Sequence, residues 1–480
     1  MPEIFVNGQS IQAERGDSVL QAALAHGHEI PHFCYHPALS VAGNCRICVV
    51  QVEGRSWVEI ACNMPVTEGL RVLTDSELVR EHRKALLQLT LLNHPVDCGV
   101  CDKAGECMLQ DYHYAHNGAP SASSDPKVRA TKFHPLSERI VLDNERCILC
   151  SRCVRFTHEI SKSHALGIQH RGDTSLVRAA EDRSFDDDPY SDNVVDLCPV
   201  GALLSRSFLY KSRVWYLKPT PSVCPGCARG CAVDLWHRKP EWKLHALEAR
   251  KNVAIERVTP RENPHGPWIC NKGRDYASFV ERPRAWQAMS AGTPVATHTA
   301  IDAARLLIEG ARNPFVLVSS WASNEELAAF RNLLAERFTA LVKADRLAQP
   351  GEPMEDAFLI RADKNPNTRG ALAQFPNEWE IGMALPADCD LVLVWGEGFD
   401  LASAPPKART IVLDAWDKPT HATADVFIPL SIQTERAGTY TNFEGRVTAF
   451  EACFPKPDAV VDAESLFASL ARSTLPAAAE

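Results

Sequence analysis

Apolar and polar residues alternate from Ile4 to Glu14 on both sides of an Asn7-Gly8 pair, and this pattern predicts a two-stranded hairpin. Ser18 to His26 follows as a helix with Leu20 and Leu24 on one face, so the chain is expected to start as a ubiquitin-like β-grasp. A loop from Pro31 to Arg46, a strand from Ser56 to Ala61 and a helix from Ser76 to Asn93 are expected next. Ala115 to Lys132 is rich in Pro, Ser, Asn and Asp, shows no periodicity and reads as a surface linker. Beyond it, Arg146 to Glu159 and Cys198 to Leu204 read as two loop-helix units. Between them the polar stretch Gly172 to Asp192 carries a DDDP run expected in a solvated loop.

From about residue 280 the texture changes to alternating helices and apolar runs. Phe315 to Ser319, Leu391 to Trp395 and Thr410 to Leu413 read as buried parallel strands. Ser323-x-x-Glu326 is a capping box opening a helix expected from Asn324 to Phe338. Gly396-Glu397-Gly398 follows a strand but lacks the third glycine and the helix of a dinucleotide fingerprint. The tail is therefore expected to be an α/β domain.

Length and composition sharpen this outline. A chain of 480 residues is too long for one core and predicts three to five domains. Hydrophobic content of 45% and charged content of 23% are ordinary for a globular protein. No apolar run approaches the roughly 18 residues needed to cross a bilayer, and Met1 to Ser10 lacks a signal segment. A cytosolic location is expected, where thiols stay reduced and clustered cysteines read as metal ligands. The net charge of −9 gives no reason to expect nucleic acid or anionic lipid as a partner.

Of the 17 cysteines, 15 combine with one histidine into four sets of four; only Cys389 and Cys453 fall outside and are expected to be buried, inert thiols. The first set, Cys34, Cys45, Cys48 and Cys62, has three ligands on one loop and a remote fourth, an arrangement suited to a [2Fe-2S] cluster. The second, His94, Cys98, Cys101 and Cys107, mixes one imidazole with three thiolates. A neutral ligand in place of an anionic one should raise the potential of the group it binds. The third, Cys147, Cys150, Cys153 and Cys198, is the bacterial ferredoxin pattern of C-x2-C-x2-C with a distant Cys198-Pro199, expected to close one [4Fe-4S] cube. The fourth, Cys224, Cys227, Cys231 and Cys270, suits a further [4Fe-4S] cluster. Zinc remains an alternative, most of all for the second set, where His94 could be an ordinary capping residue, and for the fourth, whose order also describes structural zinc modules.

The order of these sets resembles the G chain of bacterial NADH-quinone oxidoreductase, respiratory complex I, equivalent to the 75-kDa mitochondrial subunit. CYHPALSVAGNCRICVV, NHPVDCGVCDKAGECMLQDY, RCILCSRCVRF and LCPVGAL carry the likeness over about residues 3 to 275. The resemblance implies one [2Fe-2S] cluster, a His-ligated [4Fe-4S] cluster, a main-path [4Fe-4S] cluster and an off-path [4Fe-4S] cluster, in chain order. It implies a multidomain α+β and α/β fold with five parts. These are a β-grasp [2Fe-2S] ferredoxin domain (1–78), a His/Cys-ligated [4Fe-4S] domain (79–118), a ferredoxin-like [4Fe-4S] domain (138–212), a fourth cluster domain of the bis-pterin molybdenum/tungsten type (216–275) and a shortened molybdopterin-oxidoreductase-like α/β domain (280–480). Ala424 to Leu430 and Glu435 to Arg446 resemble that last superfamily. The gap from Cys231 to Cys270 exceeds its usual spacing, and the tail is too short to enclose the cofactor, so no molybdopterin is expected. Lys272, between cluster and pterin in molybdenum relatives, is expected to keep an electrostatic or packing role.

The implied function is electron transfer from a flavin-bearing NADH-oxidising subunit towards quinone-proximal iron-sulfur subunits of the peripheral arm, with no complete active site in this chain. The implied place is the cytoplasmic side of the inner membrane, held through partners. An NAD-linked soluble formate dehydrogenase or hydrogenase shares the N-terminal modules. The first needs a full molybdenum domain and an iron-only hydrogenase needs more cysteines than Cys389 and Cys453. A zinc-stapled scaffold would be colourless.

Overall fold

The computed structural model describes residues 1–242, 244 and 252–471. They form two compact units, Met1–Leu217 and Lys218–Glu480. Part of the long stretch between Cys231 and Cys270, and the last nine residues of the tail, lie outside the described residues.

The first unit opens as the β-grasp pattern requires. Strands Glu3–Val6 and Gln9–Gln12 pair antiparallel around Asn7 (φ 51°) and Gly8 (φ 83°), the positive dihedrals of a tight hairpin turn. Arg71–Leu73 runs parallel to Glu3–Val6 and antiparallel to Val49–Val52, whose other neighbour is Val58–Ile60. The helix Val19–Ala25 starts at a capping box of Ser18 and Gln21. It buries Val19, Leu20, Ala22 and Ala23 against Ile4, Val6, Val50 and Val72. Leu24, expected on the same face as Leu20, is instead exposed, because the buried face of this short helix centres on the two alanines.

The following helix, Glu77–Leu91, is tied to this sheet by the buried Arg83, whose guanidinium donates to the Val49 carbonyl at 2.9 Å. Further on, Ile140–Leu142 lies between His134–Pro135 and Leu203–Ser205 in a small antiparallel sheet. The helix Arg152–Glu159 follows the third cysteine loop as expected. Cys198 differs from expectation: it sits after the helix Asn193–Leu197 and leads into the strand Leu203–Ser205 rather than opening a helix. Pro199 explains this, since its ring fixes φ and disfavours helix in the residue before it. The DDDP run is also less solvated than expected. Asp188 is buried and its carboxylate accepts from the Ser161 and Ser163 hydroxyls at 2.6 and 2.7 Å.

The second unit begins with an antiparallel sheet in which Ala232–Arg238 lies between Leu217–Val223 and Ile255–Pro260. The described part of the long spacing before Cys270 thus contains an antiparallel strand pair. An eight-stranded sheet follows, in the order Thr293–Val295, Ala288–Ser290, Val426–Pro429, Arg409–Asp414, Leu391–Trp395, Pro314–Ser319, Thr339–Lys343 and Glu378–Trp379. The last six are mutually parallel. Counted along the chain, they lie in the order 6-5-4-1-2-3, a doubly wound sheet whose direction of growth reverses between Pro314–Ser319 and Leu391–Trp395.

One face packs Val316, Leu393 and Ile411 under helices that contribute Ala304, Phe330 and Phe467; the other packs Phe315, Val392 and Phe427 under loops. Burial on both faces is why these strands read as continuous apolar runs. The capping box at Ser323 and Glu326 is present, but the helix it opens ends at Leu333 and a 3₁₀ turn, Ala335–Arg337, replaces its expected last turn. No helix among the described residues is long and apolar enough to cross a membrane.

Candidate metal centres

Cys34, Cys45, Cys48 and Cys62 converge in the first unit. Cys34 is hydrogen-bonded to the thiols of Cys45 and Cys62, and Cys48 to that of Cys62. Backbone amides also point at sulfur, the Cys34 N–H donating to Cys45 Sγ at 3.4 Å. Gly43 (φ 62°) and Arg46 (φ 60°) turn the loop so that its amides face inward. The hydrogen bonds from Cys45 and Cys62 hold the Cys34 thiol down and push those two thiols up. Cys62 reaches the group from a single 3₁₀ turn, Ala61–Asn63, after its strand.

The third set lines one cavity that contains all of Cys147, Cys150, Cys153 and Cys198, walled by Leu142, Val177, Val200 and Leu203. Leu149 (φ 52°) and Ser151 (φ 61°) both lie in the left-handed region, so the loop between the cysteines forms a nest of inward amides. Burial pushes Cys147 up to about 12 and Cys150 to about 11, and raises Cys153 as well. Burial favours the protonated form of these three thiols, so metal binding here displaces protons. The donor set, cavity and amide nest all fit an iron-sulfur cube.

In the second set, burial holds His94 down to about 4, so its ring is neutral near pH 7, the form that ligates metal. His94 Nδ1 is buried without a hydrogen-bond partner, which fits a ligand and not a capping residue. Burial raises Cys101 and takes Cys107 to about 11, while Cys98 is exposed. Asp97, between His94 and Cys98, is fixed by Arg146 at 2.7 Å and Lys132 at 3.1 Å, and both cations also pair with the fully buried Asp143. Replacing His94 with cysteine adds a negative charge at this site. The expected result is a midpoint potential lower by on the order of 100 mV in an EPR-monitored redox titration. An unchanged potential would remove His94 from the ligand set.

Cys224 and Cys231 close a loop whose ends are joined by Cys224 N–H donating to the Cys231 carbonyl at 2.9 Å. Cys270 is the residue before the short helix Asn271–Arg274, and the amides of Gly273 and Lys272 in its first turn favour its thiolate. Burial raises all four thiols, Cys270 to about 12, and the charges of neighbouring cysteines add to it for Cys224, Cys231 and Cys270. Space at Gly273 is tight, since a Cβ there would lie 3.2 Å from Cys224 Sγ. Lys272 leans over the Phe279 ring at 5.1 Å, a packing role. Cys389 is buried in a core, as expected. Cys453, distant in sequence, packs into the same apolar cluster as Cys224 and Cys231.

Among the described residues, no three or more His, Cys, Asp or Glu converge as they would on a single metal ion. Three family models match successive stretches of the first unit. A 2Fe-2S iron-sulfur cluster binding domain covers residues 2–77, an NADH-ubiquinone oxidoreductase-G iron-sulfur binding region covers 83–119, and the ferredoxin-like domain of NADH-quinone oxidoreductase subunit 3 covers 137–204. Each stretch contains one of the first three sets. The G subunit of the NADH-quinone oxidoreductase of Streptomyces coelicolor is 37% identical over 273 residues, 56% of this chain and 31% of that protein. A G subunit of the NADH-quinone oxidoreductase of Rhizobium meliloti is 36% identical over 342 residues, 70% of this chain and 39% of that protein. In this region the chain belongs to the family of NADH-quinone oxidoreductase G subunits.

The Rhizobium match is too long to end before residue 280, so the likeness reaches into the tail. The chain spans only about a third of the length of these G-subunit relatives, 31% and 39% respectively. Among solved structures, an NAD⁺-reducing [NiFe]-hydrogenase in the H₂-reduced state is 33% identical, covering 44% of this chain and 91% of that chain at a TM-score of 0.41.

Within the region shared with the G subunits the loop of the third quartet is in contact with those of the first and second. Arg152, buried beside Cys153, donates to the Tyr35 carbonyl at 2.5 Å and the Leu197 carbonyl at 3.2 Å, next to Cys34 and Cys198 respectively. Arg155 donates to the Cys34 carbonyl, and Asn44 Nδ2 to the Leu149 carbonyl at 3.2 Å. On the other side, Met108 N–H donates to the Pro199 carbonyl at 3.0 Å, and Gly201 abuts Cys101 Sγ. The loop of the third set thus touches the loops of both others. No sequence pattern marks these cross-links; only the arginines just after Cys150 and Cys153 hinted at them.

Proposed function

We propose that the chain is the iron-sulfur electron-transfer subunit of a complex I-type NADH:quinone oxidoreductase. Cys34, Cys45, Cys48 and Cys62 would hold a [2Fe-2S] cluster; the His94, Cys147 and Cys224 quartets would each hold a [4Fe-4S] cluster. Bound there, such clusters accept and release single electrons without protein side chains taking part in bond chemistry. The chain's own contribution is position, ligand charge and burial, which set the spacing and the potentials. The observation that carries the reading is that the loop of the third set is hydrogen-bonded to the first and abuts the second, which makes it the middle station of the three.

In this reading the donor is a flavin-bearing NADH-oxidising subunit and the acceptors are quinone-proximal iron-sulfur subunits. The assembly is a hetero-oligomeric, ion-translocating enzyme, and this chain sits at the cytoplasmic side of the membrane through its partners. Its tail is read as a shortened molybdopterin-oxidoreductase-like domain without molybdenum. That domain has a structural task consistent with its contacts: Arg346 donates to the Gly226 carbonyl at 3.0 Å and Gln433 to the Val223 carbonyl at 2.8 Å, clasping the Cys224 loop.

The test is isolation of the native assembly with identification of its subunits and low-temperature EPR of the NADH-reduced sample. Flavin and quinone-binding partners with one binuclear and three cubane signals are expected. A partner set without a quinone site points instead to a soluble NAD-linked enzyme. Cys270→Ala is expected to remove about four irons per chain. It should leave NADH:quinone turnover largely intact if the fourth cluster is off the main path, as in this reading; lost turnover with normal assembly would place it on the route.

A further inference from the structure

Five lysines and arginines are buried among the described residues: Arg83, Arg146, Arg152, Lys343 and Lys364. A buried cation is costly unless an opposite charge compensates it. Lys343 meets this need through Asp345 at 2.8 Å, and Arg146 through Asp97 at 2.7 Å and Asp143 at 3.3 Å. Arg83, Arg152 and Lys364 donate instead to neutral acceptors. Arg83 bonds the Val49 carbonyl, and Arg152 bonds the Tyr35 and Leu197 carbonyls and the Met108 sulfur. Lys364 bonds the carbonyls of Pro353, Met354 and Arg361 at 2.7, 2.7 and 2.8 Å.

Four of the five cations stand at the quartets, one at each. Val49 follows Cys48, so its carbonyl holds Arg83 at the first set. Arg146 stands at the second: its Cδ and Cys101 Sγ both border Gly201, 3.6 and 2.1 Å from where a Cβ would lie. Arg152 lies between Cys150 and Cys153 in the chain and is bonded to the residue before Cys198, at the third. Lys364 continues from Asp363, whose carbonyl accepts from the Ala228 amide at 2.9 Å, beside Cys227 of the fourth. The thiols and the cations act on one another. Burial raises Cys101 and Cys227, and Arg146 and Lys364 respectively are among the groups that oppose it. Burial also pulls Arg83 down to about 10 and lowers Arg152, and the opposing charges include Cys48 for the first and Cys150 and Cys198 for the second.

An iron-sulfur cluster held by thiolates is anionic and gains one more negative charge when it accepts an electron, so a fixed cation beside it favours the reduced form. In a buried site this attraction is little screened. We propose that Arg83, Arg146, Arg152 and Lys364 are positioning residues, one for each of the four clusters, whose buried charge compensates that cluster and raises its potential. The inference rests on the cluster assignment given under the proposed function. The effect is largest at Arg83, Arg152 and Lys364, because the charge of Arg146 is shared with two carboxylates.

The experiment is an EPR-monitored redox titration of the assembled enzyme carrying Arg152→Met or Lys364→Met, with the charge-keeping Arg152→Lys and Lys364→Arg beside them. Arg152→Met is expected to make the third cluster about tenfold harder to reduce, a midpoint lower by about 59 mV for one electron, with the fourth cluster unmoved. Lys364→Met is expected to do the same to the fourth and leave the third unmoved. The charge-keeping variants should stay within about twofold of the unsubstituted enzyme. Loss of that one cluster from a neutral variant, with retention in its charge-keeping partner, supports the same pairing of cation and cluster. Intact clusters with unmoved potentials, shifts at the wrong cluster, or equal shifts or losses in neutral and charge-keeping variants would overturn the proposal. Absence of cluster signals from the unsubstituted enzyme would overturn the cluster assignment as well, whereas intact signals with unmoved potentials leave that assignment standing.

Discussion

Cys198→Ala is expected to abolish NADH:quinone electron transfer in the assembled enzyme while removing one cubane signal and about four irons per chain. The reason is position. Cys198 belongs to the quartet whose loop meets both neighbouring loops: Arg152 bridges the carbonyls beside Cys34 and Cys198, and Pro199 accepts from the residue after Cys107. Loss of a middle station severs the row, whereas loss of a terminal branch does not. Because ligand binding and local folding are coupled in such sites, the variant must first be shown to assemble with its partners. Subunit identification and the remaining cluster signals provide that check. Undiminished turnover in an assembled variant would contradict the middle position.

Gly201→Ala is the second large effect, and it is steric. Gly201 does not need positive φ; what it lacks is room, since an added Cβ would lie 2.1 Å from Cys101 Sγ and 3.2 Å from the Lys103 Cβ. A carbon and a sulfur cannot approach that closely, so the thiol must move by more than about 1 Å or the Pro199–Ala202 turn must retreat. Either movement disturbs a cluster. The expected result is loss or distortion of the second cluster's EPR signal with the first retained, and a severe drop in turnover from a single added methyl group. A variant with a normal second-cluster spectrum and normal turnover would show that Cys101 does not hold its sulfur against this turn.

Much of this molecule is written locally. The Asn7-Gly8 hairpin, the Ser323 capping box and the parallel strands of the tail formed where the patterns put them, because turn chemistry, caps and burial on two faces act over a few residues. The misreadings came where distant parts of the chain intervene. Leu24 matched a helical face yet is exposed, and Asp188 matched a solvated run yet is buried under two serines. Cys198 looked like the start of a helix, but the strand pairing of Leu203–Ser205 with Ile140–Leu142 claims the residues after it.

The candidate sites divide the same way. Ligand type and spacing named sixteen side chains, because metal chemistry restricts which residues serve and short loops restrict how far apart they stand. That the third loop stands between the other two, that Gly201 presses on Cys101, and that the tail clasps the Cys224 loop are decisions of the tertiary structure. Each depends on residues tens to hundreds of positions apart meeting in space, and a contact of that kind leaves no periodicity or spacing in one sequence to be read.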